Sequence, residues 1–286
     1  MELLVWPGDH GLPSMDLTSI QMMAYCKFAG APVKVNYLNR SWNIFNHIPL
    51  FTHGFNVKLN CLNDLVAHLQ RQNYNCDQKL TKSSPIDVQA YMSIISQKLE
   101  PALTYLYWGH EGNYLSLTRP WYAKRLPFPA SWILPDRYQN TNREKLIVLI
   151  GDQEKWPEKE KQLIDEAEKC LTLLSQKLGD QKYFFGESPT IFDAYVYGYL
   201  AICTIPFPHL NPLRNSLNNL TNLLDYVTRI KRSYFPDTNE ATEGKIKSDD
   251  NEFPNKRLDI TLSALFAATV MLTYAYLHLR HFKKYQ

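Results

Sequence analysis

The chain has 286 residues, with 31 Lys and Arg against 28 Asp and Glu, and is 45% hydrophobic and 13% aromatic. This is the make-up of a globular protein of one or two domains; it excludes general disorder, and a net charge of only +3 gives no electrostatic footprint for nucleic acid. The five cysteines, Cys26, Cys61, Cys76, Cys170 and Cys203, are odd in number and form no CxxC pair, so neither a disulfide framework nor a zinc knuckle is expected.

Residues 3–6 are a short apolar run, stopped by Pro7-Gly8, and predict a buried strand. It is too short for the core of a secretory signal. Leu17, Ile20, Met23, Ala24, Lys27 and Phe28 follow at helical spacing until Gly30 ends the helix, and residues 33–38 alternate as a second strand. Ile48-Pro49-Leu50-Phe51 suits a strand start or a cis turn; a strand at 57–59 and a helix over about 62–70 complete a βαββα order. Strands separated by a helix pair in parallel, and a small thioredoxin-like sheet over residues 1–76 is the economical arrangement.

From Pro85 the strand signals fade. Val88, Tyr91, Met92, Ile95, Leu99 and Leu103 mark one face of a long helix in which Pro101 predicts a kink. Residues 105–138 read as an aromatic, proline-broken stretch. Pro157 then opens an amphipathic helix with the stripe Leu163, Ala167, Cys170, Leu171, Leu174 and Leu178, closed by Gly179, and two more helices fit 192–202 and 217–232. An all-helical domain is therefore expected over residues 77–235.

Residues 236–257, with six acidic and four basic side chains, read as a flexible linker reaching about 25 Å. Residues 260–279 contain no Asp, Glu, Lys or Arg, and 20 residues of helix span about 30 Å, the thickness of a bilayer core. Segment 258–279 is thus expected to be a transmembrane tail anchor, flanked by Lys256, Arg257, Arg280, Lys283 and Lys284, with residues 280–286 as a short basic tail. An amphipathic helix packed on the body is the alternative, disfavoured because apolar residues fall on every face. A short anchor with basic residues after it suits the mitochondrial outer membrane, with the N-terminal body in the cytosol.

Within FFGESPTIFDAY, residues 184–195, Thr190 can cap a helix and Asp193 can bond back to the cap's amide. In a helical half that follows a thioredoxin-like half, this string resembles the folding motif of the glutathione transferase superfamily, and Pro49 resembles that superfamily's cis-proline. Ser14-Met15-Asp16, Gly30-Ala31-Pro32, Arg119-Pro120-Trp121-Tyr122-Ala123, Pro127-Phe128-Pro129 and CLTLLSQKLGDQKYFFGESP, residues 170–189, narrow the likeness: the chain resembles the tail-anchored metaxins. The resemblance implies a glutathione-transferase-like fold in two parts, α/β and all-α, with a C-terminal transmembrane helix. It also implies a non-catalytic component of the sorting and assembly machinery that inserts β-barrel precursors into the mitochondrial outer membrane. The implied partners are a second metaxin, the machinery's β-barrel subunit, an inner-membrane organising complex and motor adaptors, besides the lipid bilayer itself. Two alternatives are an adaptor linking mitochondria to motors and a membrane-anchored glutathione transferase or peroxidase.

The enzyme alternative needs a stabilised thiolate at the N-terminus of the first helix. Ser14 is the candidate there, although a turn or cap role beside Asp16 is commoner. Where the superfamily's γ-glutamyl site uses an acidic residue or Gln followed by Ser, this chain has Cys61-Leu62, which supplies neither, so no cofactor is expected. His47, His53, Cys61, His68 and Cys76 are too irregularly spaced to predict a metal site, Cys170 and Cys203 read as small buried hydrophobes, and Gly8, Gly11 and Gly54 form no phosphate loop. Two surfaces are candidates for partner binding: the aromatic stretch with Arg119, Trp121, Tyr122 and Trp132, and the groove between the two halves.

Overall fold

The computed structural model describes residues 1–38, 48–77, 84–151 and 155–236, together with Thr269, Met271 and Tyr274. Its N-terminal half is a four-stranded sheet in the order β2-β1-β3-β4, with β1 at Glu2–Val5, β2 at Lys34–Tyr37, β3 at Leu50–His53 and β4 at Val57–Leu59. β1 runs parallel to β2, Leu3 opposite Val35, and antiparallel to β3, Leu3 opposite Phe51. Leu3, Val5 and Phe51 are fully buried, because alternate residues of a strand share a face. The parallel pair is joined by helix α1, Leu17–Phe28, which Asp16 caps by accepting the Ser19 amide at 2.7 Å. Helix α2, Leu62–Arg71, closes this half, and the Ile48–Pro49 peptide is cis.

The helical half comprises α3 (Ser84–Thr104), α4 (Glu111–Asn113), α5 (Arg119–Arg125), α6 (Ala130–Ile150), α7 (Trp156–Leu178), α8 (Ile191–Cys203), α9 (Pro212–Asn219) and α10 (Thr221–Tyr234). Two π-helical turns, Tyr105–Gly109 and Tyr114–Thr118, carry the chain from α3 to α5. The stretch expected to be broken by prolines is therefore mostly helical. Pro120 lies in the first turn of α5, where a missing N–H costs nothing, Pro129 precedes α6, and only Pro135 interrupts a helix interior. The expected helix over 217–232 is two helices, since Leu220 leaves the helical conformation between α9 and α10.

Helix α8 is the centre of this half: every residue from Phe192 to Cys203 except Tyr195 is buried. It packs on α1 across Gly198, whose absent Cβ would lie 2.5 Å from Gln21 Cγ and 3.1 Å from Leu17 Cδ1. That near approach lets Gln21 Nε2 donate to the Tyr195 carbonyl at 3.1 Å, so the two halves share one core.

The linker 236–257, apart from Pro236, the basic flanks Lys256, Arg257, Arg280, Lys283 and Lys284, and the anchor 258–279, apart from Thr269, Met271 and Tyr274, lie outside the described residues. Those three have helical backbone. Among the described residues no helix is long and apolar enough to cross a membrane.

Candidate functional site

The place where this fold can hold a reactive thiolate is the N-terminus of α1. Ser14 is fully buried there, and its Oγ accepts the Asp16 amide at 3.1 Å. Asp16 itself supplies the negative group that the helix end favours, its Oδ2 accepting both the amide and the hydroxyl of Ser19 at 2.7 Å. Burial pushes the Asp16 carboxyl above its usual range, against the Ser19 hydrogen bonds. Below it Tyr107 donates its hydroxyl to the Met15 carbonyl at 3.1 Å, which fixes the loop. This geometry makes Ser14 a turn residue.

Aromatic side chains fill the space beside that loop. Trp6 meets Tyr122 edge-on at 4.9 Å, Trp121 meets Tyr122 at 4.8 Å, and Trp108 and Tyr138 close the cluster at 5.3 and 5.9 Å from the Tyr122 ring. Asp9 bolts the loop to α5: its Oδ2 accepts the Trp121 indole N–H and an Arg125 N–H, each at 3.0 Å, while Arg125 lies 4.0 Å over the Trp121 ring. Burial acts to raise the Asp9 carboxyl, but the His10 amide and charge and the Arg125 guanidinium outweigh it and hold it below its usual range.

Of the four residues expected on a partner surface, two are therefore core. Trp121 and Tyr122 are buried because α5 turns them onto Trp6 and the first loop. Arg119 lies in a salt bridge with Asp136 at 3.1 Å. Trp132 remains as a surface group, 68% exposed at the start of α6, with Ile133 beside it.

All five thiols are raised above their ordinary value, chiefly by burial, Cys170 to about 11 and Cys26 to about 12. Cys61, at the N-cap of α2, donates its thiol to Asp64 Oδ2 at 2.9 Å, and that carboxylate also disfavours the thiolate. Its successor Leu62 is buried. Within the His and Cys group, His53 Nδ1 and His68 Nε2 lie 3.0 Å apart, Cys76 sits beside Asp77 and His47 is outside the described residues. Among the described residues no three His, Cys, Asp or Glu side chains converge on a metal position.

Thr190 and Asp193 stand at the start of α8, where Asp193 Oδ2 accepts the Thr190 amide at 2.9 Å and its hydroxyl at 2.8 Å. Asp193 does more than cap. Its Oδ1 accepts the Phe184 amide at 3.1 Å and the Tyr226 hydroxyl at 3.0 Å, joining the 184 turn, α8 and α10 at one buried carboxyl that burial pushes upward. No sequence pattern points to Asp77, whose Oδ1 accepts the Ile191 amide in the same helix turn. Asp16, by contrast, lies three residues before Ser19, which is a capping pattern.

Residues 19–139 match a family model described as an outer mitochondrial membrane transport complex protein, and residues 167–230 match one described as a glutathione S-transferase C-terminal domain. The chain is 37% identical over 284 residues to metaxin-1 of Sus scrofa, covering 97% of this chain and 90% of that protein. It is 33% identical over 240 residues to metaxin-3 of Danio rerio, with 83% and 76% covered. A solved glutathione transferase of Phanerochaete chrysosporium superposes with a TM-score of 0.53 at 11% identity, over 82% of this chain and 96% of that one, which is a likeness of fold alone.

Proposed function

The chain belongs to the metaxin family, and from that premise we propose that it is a non-catalytic component of the mitochondrial outer-membrane machinery that imports and inserts β-barrel precursors. It works through protein–protein contacts, with a second metaxin and a barrel-forming subunit as partners. The matched description, an outer mitochondrial membrane transport complex protein, supports both the location and the transport role. The observation that carries the non-catalytic reading is the start of α1: Ser14 is buried and engaged with the Asp16 amide, and Asp16 occupies the helix end that a thiolate would need.

Segment 258–279 is the proposed single-pass anchor, with residues 236–257 as the tether that keeps the body on the cytosolic side within reach of its partners. Confinement by such a tether makes encounter with membrane-embedded partners effectively intramolecular. Carbonate extraction of mitochondria tests the anchor, and release of the full-length protein rules it out. Deleting residues 258–286 is expected to impair complex formation on native electrophoresis, and a foreign outer-membrane tail anchor is expected largely to restore it. Failure of a correctly targeted swap would mean that the anchor makes specific helix contacts. Conjugation of an electrophile with glutathione is expected to stay at the uncatalysed rate; turnover would revive the transferase reading.

A further inference from the structure

Strand β1 begins, α1 finishes and β2 begins at one end, as the Lys34 amide donating to the Met1 carbonyl records. α10 finishes at that same end, because Tyr234 meets Phe28 edge-on at 4.7 Å. The turn before α8 reaches it too: Arg229 donates to the Lys182 carbonyl at 2.6 Å, and the Tyr183 and Tyr234 hydroxyls lie 3.4 Å apart. Lys27, Lys34, Lys182, Arg229 and Arg232 are thus gathered around the point where the chain leaves the body for the linker. The salt bridges among the described residues are Lys98–Glu166, Arg119–Asp136 and Arg125–Asp9, so none of these five cations has a carboxylate partner there. Of the five, Arg229 is partly buried over the Tyr226 ring at 5.9 Å, and the other four are exposed. The acids nearby are Glu2, which accepts from Asn36 at 3.2 Å, and the exposed Asp180 and Glu187 on either side of Lys182.

We propose that this basic end is a docking surface for the anionic lipid headgroups of the membrane that carries the anchor, so that the body lies on the bilayer by its α1–α10 end with the N-terminus of α1 turned away. The occupant follows from where the chain goes. The last described residue before 237, Pro236, emerges among these cations, and on the anchored reading residues 237–257 keep the body within reach of the lipid surface. At physiological ionic strength the field of that surface decays within about 8 Å, so a tethered body feels it only when docked. Each cation brought to an anionic surface adds about fivefold to the docking equilibrium. The inference rests on the anchored reading, and the test separates the two.

The full chain is inserted through its C-terminus into nanodiscs of phosphatidylcholine alone or with one part in five phosphatidylserine, and amide hydrogen exchange is followed. The expected result is slower exchange, by about tenfold or more, at the end of α1, the 182–186 turn and the second half of α10, in the anionic discs only and reversed by high salt. Lys182→Glu with Arg232→Glu is expected to remove that protection while leaving thermal melting unchanged. Equal exchange in the two disc types overturns the proposal. So does salt-sensitive protection in neutral discs, which would mean that the acidic linker covers this end. Carbonate-resistant insertion reads the anchor separately. Should the chain fail to insert, salt-sensitive sedimentation with anionic vesicles, weakened in the double variant, still supports the surface, and no sedimentation overturns it.

Discussion

Asp77 Oδ1 accepts the main-chain N–H of Ile191 at 2.7 Å, a bond that spans 114 positions and lets a residue just after α2 cap the central helix of the other half. Asp77 is held in turn by Gln70 Nε2 at 3.3 Å and by its own amide, which donates to Asn75 Oδ1 at 2.8 Å. Asp77→Ala removes an acceptor from a helix N-terminus and is expected to cost about 1 to 2 kcal/mol. Thermal melting checks this, and an unchanged midpoint would show that the bond is incidental.

Asp193→Ala is expected to be the more damaging change. A capping box alone is worth about 1 kcal/mol, but here four donors lose their acceptor at a buried position, so the expected loss is about 3 to 5 kcal/mol. Chemical denaturation compared with Tyr226→Phe, which removes one of the four, separates the two magnitudes. A loss no greater than that of Tyr226→Phe would reduce Asp193 to an ordinary cap.

Asp9 gives a pH dependence with a definite sign. Its folded carboxyl is held below the ordinary 3.8, so the unfolded chain binds the proton first as pH falls, and the contribution is whole above 3.8 and lost below it. Asp9→Ala is expected to lower stability by about 1 kcal/mol at neutral pH, with the buried Trp121 indole left unpaired. The gap from wild type should narrow as pH falls through the folded value. The part that remains is the indole hydrogen bond, which a protonated carboxyl still accepts, and a gap of undiminished size at pH 2 would contradict the charged pairing.

Gly198→Val tests the contact between the halves. The added carbon meets Gln21 and Leu17 inside 3.2 Å, and overpacking of this kind costs about 1 to 3 kcal/mol. The expected sign is loss of stability together with loss of protection at the Gln21 side of α1. Neutral behaviour would show that α1 and α8 can slide apart freely.

The sheet was legible because its signals are local. Leu3, Val5 and Phe51 lie in short apolar runs bounded by Pro and Gly, and the helix between the first two strands dictates their parallel pairing. The region 105–138 was misread because a proline in a helix's first turn looks, in sequence, like a proline that breaks one. The candidate surface suffered a related error. Aromatic and arginine content marks interfaces and cores alike, and what buries Trp121 and Tyr122 is Trp6, over a hundred positions away, which no local pattern reports. Asp77 was invisible for the same reason: its partner is a main-chain amide, and amides carry no sequence signature.

Phe235 is buried and stacks on Tyr197 with the rings 5.8 Å apart and 4° from parallel, so the residue next to the linker is rooted in the central helix. A pull on the chain from beyond Pro236 therefore loads α8 before it can peel α10. Under tension the quantity that matters is the rate of unfolding, and anchoring the loaded end in the most buried helix keeps that rate low. The C-terminal end of the body is thus held so that tension applied beyond Pro236 meets the buried core first.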